Sequence, residues 1–583
     1  MEILLLVSLV FAPLAFAAVE PWAFVPLYGI FFIGAAALYA RGENSHENPL
    51  YKNLIPAVLA VALIGLIQAL RQAPVNGPTP LLFTVWRLST LNAVVLWLFY
   101  AAVMYCAAKV IRTPKQLQRL LWVIFGMGVL IALMGMLQRG EENSLIYGLR
   151  QIRAGYPFGP FVNRNHGAYF LAMAGLAGLG LFFSGFKGLF AHQSQTKLFD
   201  LLAVQFLKLI MILAVVGGIV KTGSRGGLNS FIFASIFLGF VSAGFLKSRT
   251  KKFSAWGALL LALLGYGLIL SEYRTLLGLA GDKFDLSVAA RFLMYKSSLV
   301  IFKDFPVFGT GLGAIEHAFP FYTRPDMLET GIVRHVHSDW IELFLQVGLV
   351  GGLIYMAGLA VALYGFYRTW LRCRSFTIKA VYGGALGAVL AAMMHNFLDF
   401  SSQMPANALA FYALLGALAS KPAVEGRGLL PHEEEDAPEP EPPQILYRYA
   451  AFALALLLTA AAVPQFLAWQ YDQRAKTVTF EEKINLRAES LKWQPNPQAA
   501  FRLGAEYYNQ GLKDKAAPCQ LFTASNAVAW PYLRQAPVNA NLLLLSRNLR
   551  LQLANCYNRP LTLKTPRKSP PPARPPTQNA SRP

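Results

Sequence analysis

The sequence predicts an all-α polytopic membrane protein, and three observations carry that prediction. Of 583 residues, 55% are hydrophobic and 14% charged, against about 25% charged in soluble domains. Apolar runs of roughly 18 residues or more, long enough to cross a hydrocarbon core of about 30 Å, recur along the chain. Basic residues gather in short connections between those runs, as cytoplasmic loops of membrane proteins require.

Hydropathy and punctuation give about thirteen spans. They run over Ile3–Ala17, Trp22–Ala40, Leu54–Leu70, Leu91–Val110, Leu120–Leu137, Gly167–Phe186 and Leu201–Val220. Leu228–Leu246, Ala255–Leu270, Trp340–Phe366, Ala380–Phe397, Pro405–Leu418 and Tyr449–Leu467 complete the set. The opening MEILLLVSLVFAPLAFAAVEP offers AFA as a cleavage site. Its Glu2 and lack of Lys or Arg before the apolar run favour a retained helix over a signal peptide.

Orientation follows from three basic connections: Lys109, Arg112, Lys115 and Arg119; Lys247, Arg249, Lys251 and Lys252; Arg368, Arg372, Arg374 and Lys379. With the N-terminus inside, all three face the cytoplasm. The net charge of +22 is then a membrane bias, supplemented by a site for an anionic substrate, and not a nucleic-acid footprint. The same assignment places Glu272 to Asp339, the KTGSRGG turn and Arg139 to His166 outside. Arg139, Arg150, Arg153 and Arg164 occupy that last loop without a lysine, and guanidinium forks suit phosphate or carboxylate oxygens. Lipid headgroups account for them equally well.

The predicted organisation is a membrane domain over 1–420, an acidic Pro-rich linker over 421–448 and a last span over 449–467. An extracytoplasmic region over 468–560 and a low-complexity tail over 561–583 follow. Within 468–560, AESLKWQPNPQAAFRLGAEYYNQGLKDKA resembles a tetratricopeptide helix–turn–helix, fewer than two repeats of it, and offers a surface for a protein partner. Cys519 and Cys556 share this region. They either pair, as an oxidising compartment allows, or remain two thiols.

The richest stretch is RHVHSDWIELFLQVGLVGG, Arg334 to Gly352. His337 and Ser338 are followed by nine residues and then Gly348-x-x-Gly351, which resembles the signature of the O-antigen ligase family. Gly352 and Leu353 stand where ligases often carry threonines. Three further segments are similar to the O-antigen ligase and polymerase superfamily, in matching order over 158–407. They are FGPFVNRNHGAYFLAMA, TGSRGGL, and RFLMYKSSLVIFKDFPVFGTGLG with its Pro-x-x-Gly-x-Gly turn.

The resemblance implies a GT-C-like bundle of about 12–13 helices with a large periplasmic loop over 272–339. It implies a bacterial inner-membrane glycosyltransferase of lipopolysaccharide or surface polysaccharide synthesis. Such an enzyme moves a glycan from undecaprenyl diphosphate to a hydroxyl of lipid A–core or of another glycan, by inversion, without metal or cofactor. The acceptor oxygen has to lose a proton, and the leaving diphosphate has to be stabilised. His337 suits the first task, since imidazole titrates near neutrality. Arg225 and Arg291 suit the second, with Arg334, Asn163, Asn165, His166 and His335 as further substrate-binding candidates and Arg324 behind them.

Each candidate has a plainer role: capping for Asn163, interfacial hydrogen bonding for the histidines, snorkelling for the arginines. HNFLDFSSQ, from His395, reads as a structural polar turn. Metal ligation by His335, His337 and Asp339 fails because a helix starting at Trp340 breaks the alternation that would put them on one face. A polymerase, a protein O-oligosaccharyltransferase and, from another class, a lipid-linked glycan flippase are the alternatives. Against the flippase, span interiors are nearly charge-free and no internal repeat is visible.

Overall fold

The structure is a computed structural model. It describes residues 1–42, 53–75, 79–138, 145–152, 156–186, 195–244, 257, 282–323, 333–419, 443–514, 518–535 and 540–557. The predicted span Ala255–Leu270, Arg139, Arg153, Arg324, the residues 421–442 and the tail lie outside the described residues.

The chain divides into a unit over Met1–Gln473 and a second over Arg474–Pro583. The first is helical: α1 (Glu2–Leu14), α2 (Pro21–Ala40), α3 (Ile55–Gln68), α4 (Arg87–Val110), α5 (Pro114–Leu137), α6 (Arg164–Ser184) and α7 (Gln195–Thr222). After these come α8 (Arg225–Gly244), α9 (Asp282–Asp304), the single turn α10 (Ile315–Ala318), α11 (Asp339–Arg372), α12 (Phe376–His395), α13 (Pro405–Leu418) and α14 (Ile445–Arg474). A two-residue hairpin, Leu145–Ile146 with Arg150–Gln151, is the one sheet among the described residues. Nine of the described helices are long and apolar enough to cross a membrane, and α1, α3 and α13 are shorter apolar helices. The protein is an all-α polytopic membrane protein.

Helix ends are set by local chemistry. Thr113 caps α5 through a reciprocal box with Gln116, whose amide and side chain both bond back at 3.2 and 2.9 Å. Such a box satisfies two N–H groups that a helix start otherwise leaves open. Within the loop expected over 272–339, a helix runs from Asp282 to Asp304 and carries Arg291.

Small residues let helices approach closely where lipid supplies no hydrophobic drive. A tight crossing joins α6 and α12, where a Cβ on Gly180 would lie 2.7 Å from Cα of Gly384. Helix directions alternate so that the ends carrying Arg112, Arg119 and Lys379 lie together. There Arg119 pairs with Glu2 at 2.6 Å, and Thr377 Oγ1 donates to Ser184 O at 3.3 Å. The N-terminus of α6, the C-terminus of α12 and the N-terminus of α11 meet at the opposite end.

The span expected over Trp340–Phe366 is not one straight helix. Gly348 breaks α11 with φ 64° and ψ −165°. Trp340 and Tyr355 lie with ring centroids 6.5 Å apart and planes tilted by 37°, although fifteen residues of straight helix would separate them by about 22 Å. The chain therefore folds back at the glycine. The Pro306–Gly313 loop fills the break by backbone pairing. Leu349 N donates to Pro306 O at 2.8 Å, Val350 N to Val307 O at 3.1 Å, Thr310 N to Leu345 O at 2.9 Å and Gly311 N to Gln346 O at 3.1 Å. Two motifs distant in sequence are thus one structural joint.

The second unit holds α15 (Phe480–Trp493), α16 (Pro497–Lys513), α17 (Pro518–Gln535) and α18 (Ala540–Tyr557). Asn496 caps α16 through Ala499 N at 2.8 Å. Its core is small, centred on Phe522, Ala529, Leu545 and Leu549, and Cys519 is bonded to Cys556 across 37 residues. Closing a loop of that length restricts the unfolded chain by about 4 kcal/mol. Cys519→Ser in the full chain is expected to raise proteolysis of this unit sharply, with no further effect of reductant on the variant. Equal proteolysis of both proteins would show the bond to be dispensable.

Candidate functional site

The site is built on the loop that enters α11. His337 sits at φ 53°, in the left-handed region, a strain of about 1–3 kcal/mol that persists only where neighbours impose it. Tyr295 of α9 donates its hydroxyl to His337 O at 3.0 Å. Ser338 Oγ donates to Asn396 O at 3.2 Å, and Asp339 N to Asn396 O at 2.9 Å. Ser338 also caps α11, receiving Ile341 N at 3.4 Å. The turn after α12 and one side chain of α9 thus dictate where His337 points.

Its Nδ1 faces Asp399 Oδ1 at 3.4 Å, beyond a well-formed hydrogen bond. Asp399 is 1% exposed. Burial works against its charge, but the His337 imidazole facing it, with His166 and His395 beyond, holds the carboxyl below the usual carboxylate range. A carboxylate at Nδ1 leaves Nε2 as the nitrogen that carries the lone pair.

Phe400 gathers three imidazoles around one ring. His335 stacks on it at 4.2 Å and 14°, while His166 and His337 meet it edge-on at 4.9 and 5.2 Å. His335 Nδ1 also bonds Glu342 Oε1 at 3.0 Å. Glu342 is buried and accepts from Gln346 Nε2 at 2.9 Å, Gln403 Nε2 at 3.0 Å and Val336 N at 3.2 Å. Beside this network a cavity of about 80 Å³ lies among Asp339, Gln346, Gln403, Trp97 and Tyr412.

Burial opposes the charged form of His335, yet the Glu342 carboxylate outweighs it and raises the pKa above the ordinary value. A raised folded pKa contributes stability fully below the unfolded value of about 6.5 and loses it as pH rises through the folded one. Glu342→Gln is expected to flatten that part of the stability profile, read as the thermal midpoint between pH 6 and 9. A profile unchanged in the variant would deny the coupling.

The two arginines come to the same end. Arg291 is half-buried on α9, one turn from Tyr295, and its charge acts on both Tyr295 and His395. Arg225 starts α8 after the Ser-Arg-Gly turn. Thr222 Oγ1 receives Ser224 N at 3.0 Å, and Ser224 Oγ receives Gly227 N at 3.3 Å. This turn touches α12, since a Cβ on Gly226 would lie 3.1 Å from His395 Nε2.

The remaining candidates divide. Asn163 caps α6, receiving Asn165 N at 2.9 Å, which is its plainer role. His166 is buried against Phe400, beside the Asn407 amide that donates to its carbonyl at 3.1 Å. Arg334 is exposed and pairs with Glu316 at 3.5 Å. Arg150 pairs with Glu20 at 2.5 Å, and Arg164 lies over Tyr156 at 4.9 Å.

Sequence reasoning passed over Asp399 and His395 by reading HNFLDFSSQ as a structural turn. The available signal was two titratable residues four apart at the exit of an apolar span.

A search of curated proteins finds no match to this chain. Among solved structures, a chain from one described as "Structural coordination of polymerization and crosslinking by a peptidoglycan synthase complex" is similar. It shows 16% identity, a TM-score of 0.34, and coverage of 63% of this chain and 96% of that chain. Residues 209–356 match the family model for O-antigen ligase. They contain Arg225, Arg291, His337 and the Gly348 joint, so this segment of the chain is similar to the O-antigen ligases.

Proposed function

We propose that the protein transfers a glycan from undecaprenyl diphosphate to a hydroxyl of lipid A–core, by a single inverting displacement on the outer side of the bacterial inner membrane. The observation that carries the reading is the strained His337, its Nδ1 turned to the buried Asp399, at the same end of the bundle as Arg291 and the Arg225 turn. Among the described residues, the basic connections around Arg112 and Arg119 and around Arg372 and Lys379 lie at the other end, which supports an outward-facing site.

In the proposed step, His337 Nε2 takes the acceptor proton as the oxygen attacks the anomeric carbon. The carbon–oxygen bond to the diphosphate breaks, and its electron pair leaves on phosphate. Arg225 and Arg291 stabilise the growing charge, where preorganised donors act most strongly. Asp399 balances the imidazolium and orients its ring. His166, His335 and Asn165 line the acceptor side, and the second unit offers its helical surface to a protein partner.

The test is purified full-length protein with lipid-linked donor and lipid A–core, followed by release of undecaprenyl diphosphate. Its absence removes the transferase reading. A polysaccharide gel of a deletion strain then separates acceptors: loss of all long chains on lipid A marks a ligase, whereas single-repeat products mark a polymerase.

A further inference from the structure

His395 ends α12 at 1% exposure, and neither imidazole nitrogen has a hydrogen-bond partner among the described residues. A buried polar ring in that state is costly unless a ligand completes it. The displacement described above leaves it unused. Tyr169 holds the ring edge-on at 5.4 Å. Nε2 is aimed at the first turn of α8, 3.1 Å from where a Cβ of Gly226 would stand.

That turn opens a 20-residue helix. Helix starts leave N–H groups open and present a partial positive charge, so they favour phosphate. Gly223, at φ 64°, turns the chain into the helix, and Arg164 Nη1 lies 3.5 Å from where its Cβ would stand. The charges of Arg291 and Asp399 both act on His395.

We propose that His395 is a further ligand of the leaving diphosphate beside the Arg225 turn already assigned to it, with His395 Nε2–H donating to a non-bridging oxygen. The inference rests on the reading of the protein as a transferase with a diphosphate-linked donor. A neutral imidazole carries one N–H and one acceptor nitrogen. With the proton on Nε2, the ring donates to an oxygen whose charge grows as the bond breaks, so the contact strengthens in the transition state. No proton is transferred, and the electron pair stays with the diphosphate. The contact also gives position 226 a reason to lack a side chain, because a Cβ would press on the donor nitrogen.

The test uses full-length protein in nanodiscs and ³¹P NMR titration with undecaprenyl diphosphate, inorganic pyrophosphate and phosphatidylglycerol. His395→Phe is expected to weaken undecaprenyl diphosphate binding about tenfold, the loss of one hydrogen bond to a charged group. His395→Gln keeps an N–H donor and is expected to recover most of it. Gly226→Ala, which displaces the ring, is expected to weaken binding even where the Phe variant does not fold. Competition by pyrophosphate supports a site that reads phosphates, whereas displacement by phosphatidylglycerol alone would overturn the leaving-group assignment. Equal affinity of wild type and all variants would overturn it too. Wild-type protein that binds diphosphate through His395 yet transfers no sugar would leave the contact standing and remove the transferase reading instead.

Discussion

Replacing His337 by alanine is expected to lower turnover by about 10²–10⁴-fold, the range that a positioned general base contributes. The Michaelis constant for the lipid-linked donor should barely move, because the arginines that would hold the diphosphate are untouched. Alanine at φ 53° also perturbs the loop, so His337→Asn is the cleaner variant. Asparagine accepts left-handed backbone better than most residues but takes no proton at neutral pH. Both variants should therefore lose turnover while the thermal midpoint of the asparagine form stays near wild type. Full activity in either, with purified protein and lipid-linked donor, ends the role assigned to this imidazole.

Gly348→Ala is expected to be the most damaging small substitution in the bundle. At φ 64° and ψ −165° the backbone occupies a region essentially reserved for glycine. A Cβ there would also lie 2.2 Å from Val307 O. Val307 cannot yield cheaply, since its carbonyl receives Val350 N at 3.1 Å and the neighbouring Pro306 O receives Leu349 N at 2.8 Å. Strain and overpacking together cost about 3 kcal/mol or more. The expected result is loss of monodisperse protein after detergent extraction, while an alanine at the open position Gly126 is tolerated. A Gly348→Ala protein with wild-type yield and thermal midpoint would refute the joint.

Most of the bundle was legible because its signal is local. A run of apolar residues announces a helix wherever it lies, and the expected spans over Trp22–Ala40, Leu91–Val110 and Ala380–Phe397 fall on α2, α4 and α12. The break in α11 was hidden by the same property. Hydropathy sums over residues 340–366 and is blind to one φ angle. Only the Gly-x-x-Gly spacing marked it, and its meaning depended on a loop more than thirty residues earlier. His337, Arg225 and Arg291 were singled out by motif resemblance, and the fold brings their elements to one end. Asp399 and His395 were missed because their significance is long-range. Asp399 matters through His337, 62 residues before it, and His395 through Gly226. No periodicity encodes such pairs.

The crossing of Gly180 with Gly384 has a mechanical consequence. With backbones in contact, α6 and α12 behave as one beam, and His166 near the start of one and His395 at the end of the other ride on it. That side of the site is stiff. Compliance lies opposite, on α9, whose Phe292, Leu299 and Val300 face outward and whose Tyr295 is tethered to the His337 carbonyl by a single bond. Under the proposed function, the side carrying Arg291 is therefore where a polyprenyl donor would meet the less rigidly braced wall.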